Sequence, residues 1–145
     1  MKNLNAFLSE VENHIDNNGF DDVLDLIPWF ENLQMSDWES MIQYENGQPV
    51  NTTIYQSNEF RIIIICWAGK QQSSVHGHSE GGGLIKVLKG QLEETRFHPI
   101  DRNVVGDFKY CEGAMTYIHD MIALHQVKNP DPHPSFSLHV YTKRT

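Results

Sequence analysis

Apolar and polar residues alternate with two different periods along this chain. In residues 4–16, Leu4, Phe7, Leu8, Val11 and Ile15 recur every three or four positions, the apolar stripe of an amphipathic helix. Asn17, Asn18 and Gly19 stop it. Phe20, Val23, Leu24 and Ile27 predict a second helix, interrupted at Pro28. Ser36 and Glu39 have capping-box spacing, so a short third helix is expected to begin near Ser36. The helices hold no cluster of reactive side chains. They are expected to cover one side of whatever follows.

From Asn51 the period becomes two. Residues 60–67 (Phe-Arg-Ile-Ile-Ile-Ile-Cys-Trp) are apolar and β-branched, a buried strand. Residues 84–88 read as a strand ended by Gly90, and 91–97 alternate before a loop marked by Pro99, Asp101 and Asn103. Further short strands are expected at 107–110, 114–119, 123–128 and 136–142, with the proline-rich 129–134 as a rigid connection. This density of short strands and turns indicates an antiparallel barrel or sandwich. One domain is expected over 1–145, with a helical cover over 1–45 and the β-structure over 50–145.

Phase within the strands locates the candidate chemistry. Two residues apart on a strand, His76 and His78 share a face about 7 Å apart, and are either a pair able to converge on one metal ion or a chance pair on an exposed strand. In 136–141, Phe136, Leu138 and Val140 face one way, and Ser137, His139 and Tyr141 the other. That polar row is either the wet side of an amphipathic strand or a buried relay. In the relay, Ser137 orients His139, and His139 holds the Tyr141 phenol ready to give a proton.

Composition narrows the setting. Nineteen acidic residues against 11 basic ones give a net charge of −8, which argues against nucleic acid or an anionic membrane as partner. The longest apolar run, residues 62–68, is far too short to span a bilayer, and the first residues carry no secretory apolar segment. Cys66 and Cys111 are the only cysteines and suit a reducing compartment, so a cytoplasmic location is expected; separately, the chain is expected to be a monomer or weak dimer.

His76-x-His78, the six residues between Gly83 and Gly90, and His125-x-x-x-Asn129 together resemble the two-part signature of the cupins. The fold class expected is therefore mostly β: a cupin-type antiparallel β-barrel (jelly-roll) with two or three short N-terminal α-helices. Many cupins carry a ligating Glu where Gly83 stands. Its absence leaves three neutral His ligands. Within the cupins, the chain resembles the type I cysteine dioxygenases. The likeness lies in Cys66-Trp67, Ser73 through His78, residues 84–90 with Glu93-Glu94-Thr95, Tyr117-Ile118-x-Asp120, Leu124-His125-Gln126-Val127-x-Asn129 and Ser137-Leu138-His139-Val140-Tyr141.

The resemblance implies Fe(II) held by His76, His78 and His125, replaceable by zinc or nickel during purification. It implies that a small thiol, cysteine or a related mercapto-acid, is oxidised by O2 to a sulfinic acid, with Ser137, His139 and Tyr141 as the relay. Two departures stand out. Gly83 replaces the Cys that animal members join to the relay tyrosine, so no cross-link to Tyr141 is expected. The family's carboxylate-binding Arg would fall at Val50 or Asn51, yet no Arg precedes Arg61. Related mercaptopropionate dioxygenases place Gln there, and Gln48 is near. Cysteine is therefore expected to be a poor substrate. Arg61 and Lys86 are the candidate replacements. Arg61 enters the cavity if Phe60, Ile62 and Ile64 face the helices, and otherwise points outward or lies at the rim. The alternative function is a non-catalytic or differently specific metal-binding cupin that has lost the carboxylate-binding Arg.

Overall fold

Eight strands carry the period-two segments: β1 (Val50–Gln56), β2 (Phe60–Trp67), β3 (Gly83–Lys89), β4 (Gln91–Phe97), β5 (Val104–Cys111), β6 (Met115–Ile118), β7 (Leu124–Lys128) and β8 (Ser135–Thr142). The structure is a computed structural model that describes residues 4–32, 47–77 and 82–142. Its ladders are antiparallel and form a five-stranded sheet, β1-β2-β8-β3-β6, and a three-stranded sheet, β5-β4-β7. The expected barrel thus takes the form of two facing sheets.

The last strand, β8, lies in the middle of the larger sheet. Arg61, Ile63 and Ile65 of β2 stand opposite Tyr141, His139 and Ser137 of β8. Gly83, Ile85 and Val87 of β3 stand opposite the same three residues from the other side. One face of this sheet, including Phe60, Ile62, Ile64, Leu138 and Val140, packs against Phe7, Val11, Phe20, Val23, Leu26 and Phe30 of the helical segment. On the other face, Ile63, Ile65, Trp67, Val87 and Tyr141 meet Leu92 and Val127 of the smaller sheet. All eight residues of β8 are buried, so the reading of Ser137, His139 and Tyr141 as a water-facing row is overturned: a second sheet covers that side.

The helical cover begins with α1 (Leu4–Asn18). Gly19, at φ +81°, ends it by donating its N–H to Ile15 O at 2.7 Å. The second helix differs from expectation. A 3-10 turn, Val23–Leu26, is capped by Asp22, and a separate helix α2 (Ile27–Asn32) follows. Pro28 helps open α2 instead of interrupting a helix, because the first turn has no intrahelical partner for the N–H that proline lacks. The third helix expected near Ser36 lies outside the described residues. No helix among the described residues is long and apolar enough to cross a membrane.

Lys86 faces the helices. It is buried, and its Nζ donates to the Glu31 carbonyl at 2.9 Å and the Phe30 carbonyl at 3.3 Å, capping the end of α2. This removes it as a donor to the cavity.

Candidate metal centre

The inner face of β8 forms a hydrogen-bonded chain. Trp67 Nε1 donates to Ser137 Oγ at 2.8 Å, Ser137 Oγ lies 2.6 Å from His139 Nε2, and His139 Nδ1 lies 2.6 Å from the Tyr141 hydroxyl. Residues two apart on a strand stand about 7 Å apart, so the imidazole is long enough to bridge the two hydroxyls. Burial pushes the Tyr141 phenol well above its usual range, against the opposing effect of the Arg61 guanidinium. The ring rests on Gly83: a Cβ there would sit 2.6 Å from Tyr141 Cε1, so any larger residue would push the ring aside.

The segment before β3 departs from expectation. His76 does not lie in a continuous strand. Residues 71–77 follow β7 irregularly, with isolated bridges at Gln72–Lys128 and His76–His125. At the second bridge the two residues exchange N–H···O bonds of 2.9 and 3.1 Å, which sets their side chains next to each other. Their Nε2 atoms lie 3.1 Å apart. His78 lies outside the described residues. Among the described residues no three His, Cys, Asp or Glu side chains form a cluster able to hold a metal.

Each imidazole is held from behind. His76 Nδ1 lies 2.9 Å from the Ser74 carbonyl, which can only accept. His125 Nδ1 lies 2.6 Å from Glu94 Oε2. Burial alone would raise the Glu94 carboxyl. Hydrogen bonds from His125, Tyr110 and Arg96, with the Arg96 charge, reverse this and lower it to about 2. Glu94 is therefore ionised and accepts, so both Nδ1 atoms donate. When both rings are neutral, their Nε2 lone pairs meet at the same point, 3.1 Å apart, where either a shared proton or a metal ion is accommodated. Nitrogens about 2.1 Å from a metal, at angles between octahedral and tetrahedral, lie roughly 3.0–3.4 Å apart. Burial also lowers the His76 pKa and favours the neutral, ligating form. The residues fit a metal.

Sequence reasoning missed the part played by Glu94. It is 1% exposed, accepts from Arg96 Nε at 2.9 Å and the Tyr110 hydroxyl at 2.7 Å, and fixes the tautomer of His125. The available signal was phase: Leu92, Glu94 and Arg96 share one face of β4, and Leu92 belongs inside. Asn129 stands outside the centre. Its Nδ2 donates to the Trp67 and His133 carbonyls at 2.9 and 2.7 Å, pinning the connection before β8. His119 is engaged in a turn, where its Nδ1 accepts from Met121 N at 3.0 Å.

Between the sheets lies a cavity of about 500 Å3. His76, His125, His139 and Tyr141 line it, with Ile63, Ile65, Trp67 and Val127 as apolar walls. Arg61, Gln48 and Asn51 also reach it.

Two antiparallel sheets facing across a His-lined cavity define the cupin architecture. A solved structure from Thermus thermophilus has a TM-score of 0.65 at 17% identity, covering 77% of this chain and 98% of that one. A cupin superfamily protein from Desulfitobacterium hafniense has a TM-score of 0.57 at 15% identity, covering 75% and 90%. These likenesses concern the fold. Within that architecture the chain belongs to the cysteine dioxygenase type I family, whose model matches residues 8–144. Cysteine dioxygenase type 1 of Danio rerio is 31% identical over 114 residues, or 73% of this chain and 57% of the relative. The Homo sapiens protein is 30% identical over 114 residues, or 74% and 57%. The chain thus spans a little over half the length of the curated relatives it matches.

Proposed function

We propose that the protein is a mononuclear non-heme iron thiol dioxygenase. It oxidises a small thiol to the sulfinic acid with O2, and His76, His78 and His125 hold Fe(II). The carrying observation is the convergence of the His76 and His125 Nε2 atoms at 3.1 Å, each backed by an acceptor, in a cavity shared with the Ser137–His139–Tyr141 chain. Family membership gives the chemistry to which that geometry is fitted. Bound there with neutral ligands only, iron would keep its full positive charge, favour the thiolate form of a ligating thiol and supply the redox chemistry for O2.

The chain's own residues supply order and protons. Trp67 occupies one lone pair of Ser137, so the Ser137 proton can point to His139 Nε2. The imidazole then donates from Nδ1 to the Tyr141 oxygen, and the phenol proton points into the cavity. Its raised pKa keeps Tyr141 a proton donor at neutral pH. Ile63, Ile65 and Val127 exclude water from the space where sulfur is oxidised. Cys66 and Cys111 are both free thiols, as suits the reducing cytoplasm.

The test is oxygen uptake by iron-loaded protein with a panel of small thiols, with products identified by mass. A product carrying two added oxygens is expected. No uptake above that of metal-free protein with any thiol would reject the reading.

A further inference from the structure

We propose that β5 is a homodimer interface, where two copies of this chain pair edge to edge and antiparallel about a two-fold axis at Phe108. This surface is separate from the metal centre, because β5 lies on the far side of β4 from His125. β5 is an edge strand of the smaller sheet, and none of its eight residues is buried. Val104, Val105 and Phe108 are 60%, 59% and 43% exposed, so the edge is apolar as well as open. A long uncovered edge is a template for another strand.

The phase of the ladders decides which groups that edge offers. On β7, His125 exchanges main-chain bonds with His76, Val127 accepts from Ser73, and Asn129 donates to Gln71. These residues turn away from β4, and alternate residues of an antiparallel ladder turn opposite ways. Leu124, Gln126 and Lys128 therefore bond to Phe97, Thr95 and Glu93 of β4. That leaves Leu92, Glu94 and Arg96 to bond to Tyr110, Phe108 and Gly106 of β5. The N–H and C=O of Asp107 and Lys109 thus point outward, and no strand among the described residues takes them.

Charge selects the occupant and the register. A two-fold pair centred on Asp107 sets each aspartate against its own copy, and one centred on Lys109 does the same with lysine. Both registers put like charges opposite each other. Centred on Phe108, Asp107 meets the partner's Lys109, and Lys109 meets the partner's Asp107. The Phe108 side chains then meet on the axis, and the outward N–H and C=O of Asp107 and Lys109 all find partners. Registers centred farther along shorten the overlap. Asp107 accepts from Thr95 Oγ1 at 2.7 Å through one carboxylate oxygen and keeps the other. Lys109 has no ion pair among the described residues: Glu93, opposite it on β4, pairs with Lys128 at 3.3 Å. An unrelated strand would need Lys and Asp at matching positions, whereas a second copy supplies them by symmetry. One strand from each copy makes a small interface of the transient class, so the dimer should dissociate in the micromolar to millimolar range.

The test is sedimentation equilibrium of the full chain from about 10 µM to about 1 mM, which separates the 16.7 kDa monomer from its dimer. The variants are Asp107→Lys, Lys109→Asp and the two combined, with thermal unfolding as the control for folding. Each single variant sets like charges opposite in both pairs and should weaken dimerisation roughly tenfold or more. The combined variant exchanges the two charges and should dimerise like the wild type. An equimolar mixture of the single variants should associate where neither does alone, because each then supplies the charge the other lacks. A wild type that stays monomeric up to about 1 mM would overturn the proposal. So would a dimer that the single variants leave unchanged, or one that neither the combined variant nor the mixture restores.

Discussion

The two faces of β8 are equally buried and do opposite things. Phe136, Leu138 and Val140 press into the helix-covered core, where any apolar side chain of the right volume would contribute. Ser137, His139 and Tyr141 lie on the opposite face, where His139 and Tyr141 line the cavity and all three are held in a hydrogen-bonded chain with Trp67. Burial therefore does not separate scaffold from site in this fold. What separates them is whether buried atoms need partners. An apolar face is stabilised by removal from water, and damage to it leaves a void. A buried polar face is tolerated only while its donors and acceptors are matched, and damage to it leaves a stranded group and a misplaced proton.

Substitutions on the two faces and their surroundings should therefore fail differently. The largest effect is expected at the point where the cavity converges. His125→Ala should abolish metal retention, while His119→Ala, in its turn, should leave metal content unchanged. Metal analysis after dialysis decides, and full stoichiometry in His125→Ala would remove it from the ligand set. Next, Tyr141→Phe should keep the metal and slow thiol oxidation by about 10²–10⁴-fold, the usual contribution of a positioned proton donor. Unchanged turnover with tight coupling to O2 uptake would take Tyr141 out of the mechanism. On the opposite face, Leu138→Ala should cost about 2–5 kcal/mol in urea unfolding, because Leu138 is completely buried. Turnover per folded molecule should change little. A selective loss of turnover at unchanged stability would erase the contrast between the faces.

The smallest expected effect concerns the facing sheet and sharpens the same contrast. The Glu94 carboxyl is depressed from 4.5 to about 2 in the folded protein. A depressed carboxyl stabilises the fold above its unfolded pKa, and this is lost as pH falls through the folded value. In metal-free protein the Glu94 contribution should thus be present above about pH 4.5 and disappear toward pH 2, a loss of about 3 kcal/mol. Glu94→Gln should remove that part of the acid dependence. Parallel curves for the two proteins from pH 5 to pH 2 would show that Glu94 is not held as an anion.

Much of this arrangement was legible along the chain. Residues 60–67 and 91–97 were read with the bounds that the structure has, because alternation and β-branching are local properties of a pleated strand. The Ser137–His139–Tyr141 row followed from the same phase. The expected strand through His76 failed. That stretch carries no sustained alternation, and it is ordered by bridges to β7 that only pairing reveals. Pro28 was misread because a breaker in mid-helix is a good residue in a first turn, and the helix boundary was set by the Asp22-capped turn before it.

What the sequence by itself determined, then, is which residues share a face: Arg61 with Ile63, His139 with Tyr141, Glu94 with Leu92. Backbone geometry within a few residues fixes that. Only the tertiary structure decided which face turns inward. Helices covering Phe60, Ile62 and Ile64 send Arg61 to the cavity and Lys86, on the other face, to the end of α2. Only the tertiary structure matched the partners. The contacts that make the site join His125 to Glu94 across 31 positions, His125 to His76 across 49 and Trp67 to Ser137 across 70. No local preference encodes such pairings. They form when the two sheets bury their inner faces against each other, and each polar group that goes in must then meet a partner or forfeit its water.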